Sequence, residues 1–261
     1  MAPVTAPDIS GNADSQPRRS ALVTGASRGI GYEIARRLAG QGCELTISAR
    51  RRDGLLEAVD KLRSEFGVNV HPVVANLAND ADVAEVVNAH EGRYGALDLL
   101  VLNAGVGAAG TVAELSVKHY DLVLNVNLRS QFLLVQKALP MLRKAAATRP
   151  SSGARVVALA SITGVAAEAG LSAYGASKAA LISLCETLSL EEAANGVSAT
   201  AISPGFVATD MTAQMDKTVD VDSMLRASDV AELVVALSHL SAKAVVPNIV
   251  ISRAGPAIWR A

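Results

Sequence analysis

From Ala21 onward, short aliphatic and β-branched runs alternate with longer segments whose apolar residues recur at helical spacing. The runs are SALVT (20–24), CELTISA (43–49), NVHPVVA (69–75), LDLLVL (97–102), ARVVALA (154–160), VSATAIS (197–203) and VVPNIVIS (245–252). Helical periodicity fills the intervals near 29–41, 53–65, 80–92, 116–147, 173–194 and 228–241. Strands that are apolar almost throughout must be covered on both faces, and right-handed crossovers put helices there. The pattern predicts an α/β fold: a doubly wound parallel sheet of seven strands in a single domain over 19–261. AAATRPSSGA (145–154) reads as an exposed loop inside that domain rather than a boundary.

The first 18 residues, MAPVTAPDISGNADSQPR, are rich in Pro, Ser, Asp and Gly and contain no apolar core of a leader. A disordered tail is expected, with no export signal. No stretch approaches the roughly 18 apolar residues that span a bilayer, and the formal net charge of −1 with 3% aromatics offers nothing to nucleic acid. Cys43 and Cys185 lie in apolar segments and predict buried free thiols in a reducing compartment, the cytoplasm. His71, His90, His119 and His239 have no metal-ligand spacing, so packing or surface roles and no metal are expected.

The first strand runs into TGASRGIG (24–31) and then a helix. Gly25, Gly29 and Gly31 let the backbone turn and approach a ligand, and the helix that follows offers free N–H groups to a pyrophosphate. A dinucleotide is the expected ligand, although the spacing is not G-x-G-x-x-G and a glycine turn also serves packing alone. Position adds to the argument, because ligands of open parallel sheets bind at the carboxyl ends of the strands. There lie Asn103, Ala104 and Gly105 after the fourth strand, Ser161 after the fifth, and SPGFVAT (203–209) after the sixth. The second strand ends in Arg50 and Arg51, with no acid before Asp53, and Arg28 sits in the glycine turn. Cations suit a 2′-phosphate better than a 2′-hydroxyl, which favours NADP(H).

In SAYGASKAALISL (172–184), Tyr174 and Lys178 are one helical turn apart. By spacing alone this is a surface tyrosine beside a solvated lysine. An ammonium about 4 Å from the phenol, at an effective dielectric of about 20, would lower the phenol pKa by up to about three units and suit it to proton transfer. The ordered set TGASRGIG, NAG, Ser161, YGASK and PG resembles the short-chain dehydrogenase/reductase family over roughly residues 20–252.

That resemblance implies a Rossmann-type fold and a set of roles. Tyr174 would be the general acid/base, Lys178 the group that tunes it and bonds the nicotinamide ribose, and Ser161, thirteen residues before the tyrosine, the partner of the reacting oxygen. Asn127 in NVNL matches the asparagine that positions a water leading to the lysine, with Asn125 the competing choice. Gly25, Ser27, Arg28, Gly29, Ile30, Gly31, Arg50 and Arg51 match the phosphate and adenosine end. Asn76, Leu77, Asn103, Ala104 and Gly105 match the adenine side, and Pro204, Gly205, Val207 and Thr209 the nicotinamide side. Asn76 stands where the family usually has aspartate, Leu102 where a second asparagine is frequent, and the C-terminus lacks the usual G-x-x-x-x-V-D-G-G ending.

The implied activity is NADP(H)-dependent interconversion of a small carbonyl and a secondary alcohol by a homotetramer or dimer. A 3-oxoacyl-thioester reductase and a non-catalytic NADP-binding sensor are the alternatives. Glu168, Leu171, Val106, Phe206, Met211 and Met215 are placed to line a substrate pocket or simply to pack loops.

Overall fold

The computed structural model describes residues 18–209 and 221–255. Seven parallel strands form one sheet: β1 (Ser20–Thr24), β2 (Glu44–Ala49), β3 (Val70–Val74), β4 (Leu99–Leu102), β5 (Ala154–Leu159), β6 (Val197–Pro204) and β7 (Asn248–Ile251). Their order is β3-β2-β1-β4-β5-β6-β7. The order in which successive strands are added therefore reverses between β1 and β4, which opens a crevice at their carboxyl ends. The seventh run shortens to 248–251 because Pro247 has no N–H to give a neighbour; its carbonyl still accepts from Ala201 N.

The two faces are built by strict alternation. Ala21, Val23, Leu99, Val101, Val157 and Leu159 face one core, with α1 (Gly29–Gly40), α2 (Arg52–Phe66) and α7 (Ala227–Ser238) over it. Leu22, Leu100, Leu102, Val156 and Ala158 face the other, under α3 (Asp80–Tyr94), α5 (Ser130–Thr148) and α6 (Ser172–Glu192). Full burial of each large aliphatic side chain contributes about 1.5–3 kcal/mol, so both faces of the sheet stabilise it.

The continuous helix expected over 116–147 is interrupted. α4 (Val117–Leu124) passes through a π turn at Asn125–Arg129 before α5 begins. Within the turn Val126 O accepts from Ser130 Oγ at 2.7 Å and Gln131 Nε2 at 2.8 Å, side chains that satisfy a carbonyl of the widened turn. Helical periodicity could not reveal this, because one extra residue in a turn leaves the apolar pattern nearly intact.

Residues 1–17 of the expected tail, together with Met211, Met215 and the C-terminal residues 256–261, lie outside the described residues. Among the described residues no helix is long and apolar enough to cross a membrane, and no cluster of His, Cys, Asp and Glu could hold a metal. Burial pushes the Cys43 thiol up to about 11 and Cys185 to about 12, which leaves both inert.

His90 is fully buried, with Nδ1 2.9 Å from Thr46 Oγ1 and Nε2 3.1 Å from Ala96 O. A carbonyl only accepts, so Nε2 carries the proton, and Thr46 Oγ1 can donate to Nδ1 of the neutral ring. Burial pushes its pKa down to about 4 from 6.5. Between those values the unfolded chain holds a proton that the folded one lacks, so stability falls as pH drops through the window, by on the order of 3 kcal/mol. Urea unfolding of the protein and of His90→Gln across that range should show this component only where His90 is present.

Candidate active site

A cavity of about 1030 Å³ lies across the carboxyl ends of β1 to β6. Its first wall is the turn after β1. Gly25 has a φ of 66°, and a Cβ there would lie 3.0 Å from Ala104 Cα. A Cβ at Gly31 would overlap Gly25 O and Asn103 Nδ2. The turn is thus held open by absent side chains, with the start of α1 behind it. Asn103 Nδ2 donates to Thr24 O and Gly25 O at 2.8 and 3.1 Å, while Thr24 Oγ1 accepts from Asn103 N and Ala104 N, both at 3.1 Å. These bonds tie the loops after β1 and β4 together across the crevice, so Asn103 shapes the cradle with its amide already engaged.

Arg28, Arg50 and Arg51 stand exposed on the same end of the cavity. Ser27, Gly29 and Ile30 line it beside them, and Asn76, Leu77, Ala104 and Gly105 continue the wall. Asn76 turns inward to its own loop: its N–H donates to Asp82 Oδ2 at 2.8 Å and its Oδ1 accepts from Ala78 N at 3.3 Å. Pro204, Gly205, Val207 and Thr209 close the opposite side.

At the inner end the cavity meets Ser161, Tyr174 and Lys178. Ser161 follows β5 and opens a single turn, Ile162–Gly164, where its Oγ accepts from Thr163 N at 3.2 Å. Tyr174 and Lys178 come from the first turns of α6. This helix approaches β5 closely because it begins with small residues; a Cβ on Gly175 would lie 2.9 Å from Thr163 O. Lys178 is 4% exposed, donates to Leu159 O at 2.6 Å, and stands 5.6 Å from the Tyr174 ring centre.

The electrostatics differ from the expectation that the ammonium would lower the phenol. Burial raises Tyr174 above the ordinary tyrosine value, and the hydrogen bond from Ser161 pulls it back only in part. Burial also pushes Lys178 down to about 8. Both shifts have one cause: the inner pocket is poor in water, so each charged form is penalised unless a partner arrives. With its Nζ held by a backbone carbonyl, Lys178 is directed at the strand rather than at the phenolic oxygen.

Asn127 is the one residue of the expected set that does not line the cavity. It is fully buried, accepts from Val106 N at 2.8 Å, and donates to Val106 O at 2.9 Å and Ser177 Oγ at 3.1 Å. It therefore fastens the loop after β4 to α6 beside Lys178, and its Oδ1 would lie 3.3 Å from a Cβ on Gly105. Asn125 instead donates to Ala78 O at 2.9 Å, away from the lysine. Two residues apart on a helical stretch, the two asparagines point about 200° apart and so meet different loops.

Of the residues left open between pocket lining and loop packing, Val106, Leu171 and Phe206 line the cavity and Glu168 does not. Thr163, Leu122 and Val126 also line it and were not anticipated. Leu122 and Val126 are one turn apart just before Asn127, a spacing that reads as ordinary helix packing. The hydroxyl of Thr163, two residues after Ser161, was the available signal.

Comparison with known proteins agrees with this architecture. The short chain dehydrogenase family profile matches residues 19–220. The 3-oxoacyl-[acyl-carrier-protein] reductase FabG of Staphylococcus epidermidis is 35% identical over 195 residues, 74% of this chain and 77% of that protein. A short chain dehydrogenase from Burkholderia cenocepacia solved with NADP superposes with a TM-score of 0.79 at 30% identity, covering 90% of this chain and 96% of that one. A variant of the actinorhodin polyketide ketoreductase solved with NADPH gives 0.81 at 30% identity, over 90% and 95% of the two chains. A strand order that reverses between β1 and β4, a glycine-walled crevice and a profile matching most of the chain agree: the protein belongs to the short chain dehydrogenase family and is an oxidoreductase.

Proposed function

We propose that the protein interconverts a carbonyl and a secondary alcohol with NADP(H), with Tyr174 as the general acid/base. The observation that carries this reading is the polarity of one cavity: a glycine cradle with Arg28, Arg50 and Arg51 at one end, and Ser161, Tyr174 and Lys178 against apolar Val106, Leu171 and Phe206 at the other. A pyrophosphate fits the cradle, because Gly25, Gly29 and Gly31 line it without side chains and the N-terminus of α1 lies beside them. Arg50 and Arg51 have no ion-pair partner among the described residues, which leaves their guanidinium groups for a 2′-phosphate. The dinucleotide, when bound, supplies the hydride and, in its oxidised form, a positive charge beside the phenol.

The chain's own residues handle the oxygen and the proton. In reduction Tyr174 Oη gives its proton to the carbonyl oxygen, while Ser161 donates to the same oxygen and stabilises the developing charge. The phenolate left behind is stabilised by the charge of Lys178 one helical turn away, which acts strongly because the pocket excludes water. Asn127 keeps Val106 and α6 in register with this group.

Two names among the relatives, a 3-oxoacyl-[acyl-carrier-protein] reductase and a polyketide ketoreductase, support 3-oxoacyl thioesters as the specific substrate class. The exposed apolar residues Tyr120 on α4, Phe132 on α5 and Leu190 on α6 support a homo-oligomer, dimer or tetramer, which light scattering tests.

The deciding assay follows NADPH absorbance with acetoacetyl-CoA, cyclic ketones, quinones and sugars, with NADH alongside. Oxidation of NADPH by at least one of them is expected. Tight NADPH binding without oxidation on any would favour a sensor instead. Arg50→Ala should raise the KM for NADPH by roughly 10- to 100-fold, the value of a charged hydrogen bond, and leave that for NADH unchanged.

A further inference from the structure

Ser161 Oγ receives two hydrogen bonds from a single residue. Thr163 N donates at 3.2 Å and Thr163 Oγ1 at 2.9 Å. Thr163 is 6% exposed, lines the cavity, and its hydroxyl makes no other hydrogen bond among the described residues. A hydroxyl oxygen has two lone pairs and one hydrogen. The backbone N–H fills the first lone pair of Ser161 and the Thr163 hydroxyl fills the second. The Ser161 hydrogen is then the one part of that group left to engage the cavity.

This polarity matters for the chemistry. A serine that served as acceptor would compete for the Tyr174 proton and stabilise the neutral phenol, whereas a donor stabilises the phenolate and the reacting oxygen. Thr163 is itself fixed with respect to the tyrosine, because its carbonyl packs against Gly175 at the start of α6, where any Cβ would lie 2.9 Å away.

We propose that Thr163 is a positioning residue that fills the remaining lone pair of Ser161 and so fixes Ser161 as a hydrogen-bond donor to the reacting oxygen. The inference rests on the acid/base reading above. It assigns no contact with substrate to Thr163 itself.

Thr163→Val keeps the shape and removes the hydroxyl; Thr163→Ser keeps the hydroxyl and removes a methyl. With NADPH and acetoacetyl-CoA, or phenanthrenequinone if the thioester is not reduced, Thr163→Val should lower kcat by roughly 3- to 10-fold, the value of one hydrogen bond. Its NADPH affinity should stay within about twofold of the unaltered protein, and Thr163→Ser should restore kcat. A residue that merely packs would give the reverse, sparing Val and penalising Ser. Because Thr163 acts through Ser161, adding Thr163→Val to Ser161→Ala should cost nothing further. Normal turnover by Thr163→Val beside a slow Ser161→Ala would overturn the role of Thr163 and leave the acid/base reading standing, as would an equal loss in the Ser161→Ala background. Normal turnover by Ser161→Ala would overturn both.

Discussion

Tyr174→Phe is expected to bind NADPH as the unaltered protein does and to lose turnover by roughly 10²- to 10⁴-fold, the range that a positioned acid/base contributes. The variant removes one oxygen from a half-buried ring at the start of α6 and leaves the glycine cradle and the three arginines untouched. Fluorescence titration with NADPH and steady-state rates on the same preparation separate binding from chemistry. A Tyr174→Phe protein that turns over within a fewfold of the original would rule out the tyrosine as the proton donor. The loss should fall on kcat, because the proton is transferred only as the reaction proceeds.

Lys178→Met carries the second large effect, and it has two parts. Without a cation next to the phenolate, turnover should fall by roughly 10²- to 10³-fold, because the electrostatic help of one charge in a dry site amounts to a few kcal/mol. The other part concerns stability. In the ligand-free protein burial holds Lys178 near 8 against an ordinary 10.5. Between those values the unfolded chain keeps a proton that the folded chain has released, so stability rises with pH across the window by about 3 kcal/mol. Denaturant midpoints on either side of the window should show that rise in the unaltered protein and lose it in Lys178→Met. An identical rise in both would mean that the lysine is not the titrating group.

Much of this was legible from residue order. A continuous apolar run such as Ala21, Leu22, Val23 declares a strand buried on both sides, and the structure divides those side chains between two cores. Glycines where a side chain would collide, as at Gly31, are visible as letters because no other residue fits. What was not legible depends on environment or on small changes of helical pitch. The lowering of the phenol argued from the Tyr174–Lys178 spacing assumed a charge aimed at the oxygen; the fold instead aims Lys178 Nζ at Leu159 O and surrounds both groups with a medium that penalises charge. Likewise, Asn125 and Asn127 look interchangeable in the string NVNL, and only the packing of this segment shows which one meets α6.

The π turn at Asn125–Arg129 has an implication for how the chain tolerates insertions and deletions. A π turn is an α-helix carrying one surplus residue. Removing a single residue from NVNLR would let α4 and α5 merge into an ordinary helix, with every backbone bond satisfied and the apolar stripe only slightly displaced. The flanking stretches would keep their faces, whereas residues inside the turn would shift by one position, about 100° each, which carries Asn127 away from Val106 and Ser177. Length in this segment is therefore under tighter restraint than identity: the helix itself would survive the loss, but the junction between the β4 loop and α6 would not.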